Sequence, residues 1–320
     1  MKYLKKIIIW LIVIEFLNLV VGFVYKGSNI FLPYSKFNAP PLYYDMDSLY
    51  GVTRQKKSIQ LLSYPWGDIT YETNSLGFRD EEFDQNGILV VGNSFVEGFG
   101  VKTEERFTEI LEKRLNIPFH NTGSGGVWTA IQSVTLLENF MKKNRPKVNK
   151  VVLILTPGEI VNIDTRKPTT DPNRNYPYKQ GEFIKFYKSD NNIFKNQLSL
   201  IDKVKRFSKS LLVSKIYMTF KYYGASKSKN KPVSYNKQNL DWLISKINHL
   251  DLKIDVDIIL INNLGRTKIL EIEKYTTSNS KVKFHVIEFP DKLDNYFISN
   301  GHLNAKGNEE LVKLLLPVLQ

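Results

Sequence analysis

Three groups of residues in this chain have the types that acyl transfer needs. They are a serine on a turn, a glycine-rich loop after it, and a histidine far downstream. Ser94 stands in "ILVVGNSFVEGFGV", Ile88 to Val101, directly after Gly92 and Asn93. A serine hydroxyl needs a neighbouring base to become a nucleophile. Of the four histidines, His302 in "FISNGHLNAKGNEELVKLL" is the best placed to supply one. His285 falls inside a strand-like run and His249 at a helix end, where structural roles are expected; His120, close to a short strand, is a lesser candidate for a place near the site. "FHNTGSGGVWT", Phe119 to Thr129, brings three glycines into one loop. Glycine lets backbone N–H groups face a ligand with no Cβ in the way, and a following helix start adds positive potential.

Those residues are useful only if the fold brings them together. Apolar, non-alternating runs at Ile88–Gly92, near Phe119, and at Val151–Thr156, Val256–Asn262 and Val282–Phe289 read as buried strands. Helical patterns separate them at Glu104–Leu115, Trp128–Lys143, Asn236–His249, Arg266–Thr276 and Ala305–Leu319. Alternating strands and helices of this kind predict an α/β domain, a parallel sheet covered by helices on both faces. The loops after parallel strands gather at one edge of such a sheet. Ser94, after the first strand, and His302, after the last, are therefore expected to meet.

The chain has 320 residues and 42% apolar content, enough for one large core. It has no cysteine, which excludes disulfides, thiolate metal sites and cysteine nucleophiles. The histidines are too scattered to suggest a metal cluster, and no cofactor is expected. "MKYLKK" precedes an apolar run from Ile7 to Tyr25 interrupted only by Glu15 and Asn18. As a helix that run spans about 28 Å, close to the bilayer core. It reads as an uncleaved transmembrane signal anchor at 7–25 behind a cytoplasmic tip at 1–6, so that the rest of the chain faces out of the cytoplasm. Residues 26–87, rich in proline, aromatic and turn residues, read as an extended lead-in packed on the domain, with a short hairpin near Ile69 to Thr73.

The domain proper is expected at 88–320, with an insertion at 165–240 that breaks the rhythm. That insertion holds seventeen lysines and arginines against four acidic residues, an excess equal to the +13 of the whole chain. Leu198, Ile201, Val204, Leu211 and Leu212 lie near helical spacing with Lys203, Arg206 and Lys209 between them. Such a helix either packs its apolar stripe on the domain or lies on an anionic surface. Nucleic acid is not an expected partner.

With these residues in view, the sequence resembles the SGNH (GDSL-like) hydrolases, and in particular their membrane-anchored bacterial members. "VVGNSFVEGFGV" looks like the first family block, with Ser94 as nucleophile. "NTGSGG", Asn121 to Gly126, is similar to the second and places an oxyanion-hole N–H at Gly126 beside that of Ser94. "GHLNAKGNEEL" resembles the last and makes His302 the base; "TNSLGFRD" is also familiar from the anchored subgroup. The resemblance implies a flavodoxin-like sheet and an esterase or acyltransferase acting on O-acyl, specifically O-acetyl, groups of cell-envelope carbohydrate.

Two positions depart from the family pattern. Glu159 in "ILTPGEIVNID" stands where the family carries an oxyanion-donating Asn. A carboxylate cannot donate unless protonated and would repel a developing oxyanion; Asn162 could substitute only in a differently shaped loop. Asn300 stands near the place of the Asp that supports the family histidine, and an amide orients an imidazole without stabilising the imidazolium. These departures keep a second expectation open: a catalytically weakened binding or assembly protein for surface polysaccharide.

Overall fold

The computed structural model describes residues 2–26, 44–47, 51–64, 66–125, 129–144, 148–161, 163, 176–187, 232–250, 252–264, 267–272, 282–297 and 301–320. Helix α1 (Lys2–Lys26) comes first. Two antiparallel hairpins follow: β1 (Tyr44–Asp47) with β2 (Gly51–Arg54), and β3 (Ile59–Tyr64) with β4 (Gly67–Glu72). The α/β domain then runs β5 (Gly87–Val91), α2 (Ser94–Glu97), α3 (Phe107–Leu115), β6 (Phe119–Asn121), α4 (Ala130–Asn144), β7 (Val148–Leu155) and α5 (Pro157–Val161). After the hairpin β8 (Tyr176–Gln180) and β9 (Phe183–Tyr187) come β10 (Pro232–Val233), α6 (Lys237–Asn248), β11 (Asp255–Asn262), β12 (Lys268–Ile269), β13 (Val282–Glu288) and α7 (Ala305–Leu319).

The central sheet has five strands in the order β13-β11-β7-β5-β6, all parallel. Numbered along the chain that order is the flavodoxin-like one, and its direction of winding reverses between β5 and β7. The inner strands β5, β7 and β11 are buried on both faces along most of their length, which is why their sequences carry continuous apolar runs, whereas the edge strand β13 is only partly buried. Side chains still alternate between the two layers. Leu89, Val91, Leu153 and Ile258 face α4 (Ile131, Val134, Leu137) and α6 (Leu240, Leu243, Ile247). Ile88, Val90, Ile154 and Ile259 face α3 (Phe107, Leu111) and α7 (Leu311, Val312, Leu315).

Several expectations change at this level. The pattern at Glu104–Leu115 is not one helix: a 3₁₀ turn at Thr103–Glu105 ends at an extended Arg106 (ψ 143°) before α3 begins. Within the pattern at Arg266–Thr276, residues 267–272 are described and are not α-helical: Lys268–Ile269 form strand β12, paired with β10. The cause is Asn262, whose Oδ1 accepts from Ile269 N–H at 2.8 Å and whose Nδ2 donates to Ile269 C=O at 3.0 Å, holding that segment extended. The short hairpin expected near Ile69–Thr73 is the longer β3–β4 pair. In the basic insertion, β8, β9 and β10 are described; Lys179 Nζ donates to Asn239 Oδ1 at 2.6 Å and ties the hairpin to α6. The basic amphipathic segment from Leu198 to Leu212 lies outside the described residues.

The apolar N-terminal run is helical, and Ile7, Ile9, Trp10, Ile12, Phe16 and Leu17 are exposed on it. Among the described residues no helix is long and apolar enough to cross a membrane. The side chains at 2, 4, 8, 18, 19 and 21–26 of α1 lie outside that set.

Candidate active site

Ser94 opens α2 immediately beyond β5, at the edge where the winding reverses. Asn93 caps that short helix: its Oδ1 accepts from Phe95 N–H at 2.9 Å, and its backbone C=O from Glu97 N–H at 3.0 Å. Gly98, at φ +71°, ends the helix in the left-handed region that glycine adopts without strain. Gly123 backs the turn so closely that a Cβ there would lie 2.1 Å from Glu97 N. Asn121, in the glycine-loop block, donates from Nδ2 to Val96 C=O at 2.7 Å and to Thr108 Oγ1 at 2.9 Å.

His302 arrives from the other end of the domain. Its own C=O accepts from Phe297 N–H at 2.8 Å, and Gly301 beside it turns the chain at φ +70°. Two residues on, Asn304 caps α7 by accepting from Gly307 N–H at 2.9 Å. The imidazole is buried and packs against the rings of Phe95 (centroids 5.1 Å apart) and Phe99 (4.6 Å). Its Nε2 is 2.8 Å from Ser94 Oγ. A neutral imidazole in that position accepts the serine proton, which is the first requirement of a nucleophile–base pair.

The other predicted positions fall elsewhere. Gly126, Asn162 and Asn300 lie outside the described residues. His120 sits in β6 with Nε2 2.8 Å from Gln85 C=O, away from the serine turn, and His285 in β13 lies 3.4 Å from Asp257 Oδ1. His249 is the C-terminal cap residue of α6. Asp294, near the histidine in sequence, is exposed and pairs with Lys306.

Glu159 corrects the expectation of a repelling charge in the oxyanion hole. It is 2% exposed, and both of its oxygens are engaged. Its Oε2 accepts from Thr156 N–H at 2.8 Å, Thr156 Oγ1 at 2.9 Å and Asn93 Nδ2 at 2.8 Å; Oε1 accepts from Ser133 Oγ at 3.4 Å. Burial pushes its carboxyl up to about 7 against the pull of those hydrogen bonds.

Sequence reasoning missed how much of the site's support comes from the lead-in. Arg79 donates to Gly98 C=O at 2.6 Å and to Val101 C=O at 2.7 Å, clamping the chain just after α2, while its guanidinium lies 3.7 Å over the Tyr71 ring. Tyr71 Oη accepts from Gly100 N–H at 2.6 Å. Arg54 pairs with buried Glu97. Asp80 accepts from Asn121 N–H at 2.7 Å and from Arg106, and burial pushes its carboxyl up to about 7. Trp66 stacks on Phe297 with centroids 3.8 Å apart, joining the β3–β4 hairpin to the histidine loop. The motif "TNSLGFRD" contains Arg79 and Asp80, but no periodicity marks a buried charge.

No protein-family model and no curated protein matches the chain. Among solved structures it is similar to a member of the lipolytic protein G-D-S-L family from Veillonella parvula, with 14% identity, 72% of this chain and 97% of that chain covered, and a TM-score of 0.37. It is also similar to a carbohydrate esterase family 3 protein from Talaromyces cellulolyticus, with 9% identity, coverage of 73% and 96%, and a TM-score of 0.37.

Proposed function

We propose that this chain is a serine esterase or acyltransferase of the SGNH type, anchored by α1 and working outside the cytoplasm on O-acyl groups of envelope carbohydrate. The observation that carries the reading is the 2.8 Å approach of Ser94 Oγ to His302 Nε2. In the first half-reaction Ser94 Oγ attacks the acyl carbonyl as His302 Nε2 takes the hydroxyl proton. The carbonyl oxygen becomes an oxyanion, held by the Ser94 N–H and, from the family resemblance, by the Gly126 N–H. Collapse expels the carbohydrate hydroxyl, which leaves with the proton from His302, and the acyl group stays on Ser94. In the second half, water or an acceptor hydroxyl gives its proton to His302 and takes the acyl group, and Ser94 regains its hydrogen.

The anchor rests on the apolar run from Ile7 to Tyr25 and on the exposed Ile, Trp, Leu and Phe side chains of α1. A helix apolar all round needs an apolar surrounding. The carbohydrate substrate rests on the family resemblance, and the +13 insertion offers a contact for an anionic surface. The test is hydrolysis of a chromogenic acetyl ester by the full chain in mild detergent. Turnover that Ser94→Ala abolishes supports the reading. Turnover that survives Ser94→Ala, or none at all, favours the binding-protein alternative.

A further inference from the structure

We propose that Glu159 is a positioning residue for the nucleophile turn, acting on Ser94 through the Asn93 amide; this deepens the esterase reading and rests on it. The two residues come from neighbouring strands. Val91 of β5 is paired with Leu153 of β7, so the turns that follow these strands emerge side by side at the reversal point. The Asn93 side chain is a two-ended bridge in that gap. Nδ2 donates to Glu159 Oε2 at 2.8 Å, and Oδ1 accepts from Phe95 N–H at 2.9 Å.

An amide has one donating and one accepting end, and its neighbours decide which way it points. Glu159 Oε2 at 2.8 Å is the nearer of two acceptors for Nδ2, the other being Thr156 Oγ1 at 3.4 Å, so Nδ2 turns toward that side and Oδ1 is left facing the helix start. Ser94 lies between the two residues thus fixed. The acid is itself held on three sides, by Thr156 N–H, Thr156 Oγ1 and the Asn93 amide, all on the same oxygen. The remaining oxygen faces Ser133 Oγ, which can accept as well as donate. A proton on that second oxygen leaves the three donors on the first undisturbed, so the bridge survives titration of the acid. Family members with Asn here present an oxyanion donor; this chain presents an acceptor turned inward, and its use is to order the serine turn.

Two readouts on the full chain in detergent test this. One is hydrogen exchange of the Phe95 amide, read by mass spectrometry with fragmentation, with the Ile258–Leu260 amides as a control for an intact core. The other is the rate at which a fluorophosphonate labels Ser94. Glu159→Met, which keeps volume and loses the acceptor, and Glu159→Ala are expected to speed Phe95 exchange at least about tenfold and slow labelling by a similar factor, with the control amides unchanged. Glu159→Gln places its carbonyl on the three donors and its NH₂ toward Ser133, and is expected to restore both. Unchanged Phe95 protection in the Met or Ala variant with an intact core would overturn the proposal. If both variants lose the core, Glu159→Gln decides: protection within about threefold of wild type supports it, and lost protection on an intact core overturns it. A wild-type chain that is never labelled, yet shows the Phe95 pattern, leaves the positioning role standing and sinks the esterase reading instead.

Discussion

Ser94 and His302, 208 positions apart in the chain, meet at 2.8 Å because each sits on a turn that a glycine locks against a neighbouring backbone. Gly123 presses on the turn of Ser94, where a Cβ would meet Glu97 N at 2.1 Å, and Gly307 of α7 presses on the histidine loop, where a Cβ would meet Asn295 C=O at 2.1 Å. In both cases the obstacle is backbone, which cannot rotate aside as a side chain can.

Gly123→Ala and Gly307→Ala should therefore each displace one partner of the pair. Overpacking of this kind costs about 1–3 kcal/mol. The expected result is a lowered unfolding midpoint together with at least a tenfold loss of ester turnover. Normal turnover in either variant would show that its turn can relax without moving the catalytic group.

Arg79→Ala should unfasten the lead-in from the serine turn. Two charge-assisted hydrogen bonds to Gly98 and Val101 are lost, at about 1.5–3 kcal/mol each before compensation by water. A loss of roughly 3 kcal/mol lowers Tm by about 10 °C in a domain of this size. Arg79→Lys should not rescue it, because a single ammonium cannot reproduce the planar fork that spans two carbonyls. Thermal unfolding of the three chains side by side checks this; full rescue by lysine would contradict the clamp.

Much of the fold was legible in the sequence, because a parallel sheet buried on both faces writes itself as continuous apolar runs. Leu89 and Ile88 serve opposite layers, yet both must be apolar. Ser94 and His302 were legible because their loops follow the first and last strands. Arg79 and Asp80 of the lead-in and Arg106 of the domain were not, since a buried ion cluster looks like surface charge until the contacts are known. The strand at Lys268–Ile269 was hidden for a similar reason: the Asn262 side chain, not local propensity, extends it. Glu159 was seen but misread, because its position suggested a group facing the substrate and its partners lie behind Ser94.

Stability should fall as the pH rises from about 4 toward 7. Asp80 and Glu159 are both raised by burial to about 7 in the folded chain, from 3.8 and 4.5. Each binds its proton more tightly folded than unfolded, so its contribution is complete below its unfolded value and is lost through its folded one. Glu109 is raised in the same direction, again chiefly by burial. Glu82 and Asp294 are lowered by hydrogen bonds to Ser75 and Lys306, but both are exposed and count for little. Urea unfolding at about pH 5 and about pH 8 should give the lower midpoint at the higher pH, and Glu159→Gln should reduce the difference. A midpoint that climbs with pH would contradict the assignment.

If α1 anchors the chain as proposed, protease added to intact spheroplasts should digest the α/β domain while cytosolic controls survive. Protection of the domain would overturn the proposed location and, with it, the envelope carbohydrate as substrate.

The most direct test of the central claim is covalent labelling of the wild-type chain by a fluorophosphonate, with the modified residue located by mass spectrometry. The account predicts one adduct, on the peptide carrying Ser94, and labelling about 10³-fold slower in His302→Ala, since the base that draws off the serine proton is gone. No adduct at Ser94, or equal labelling with and without His302, would contradict it.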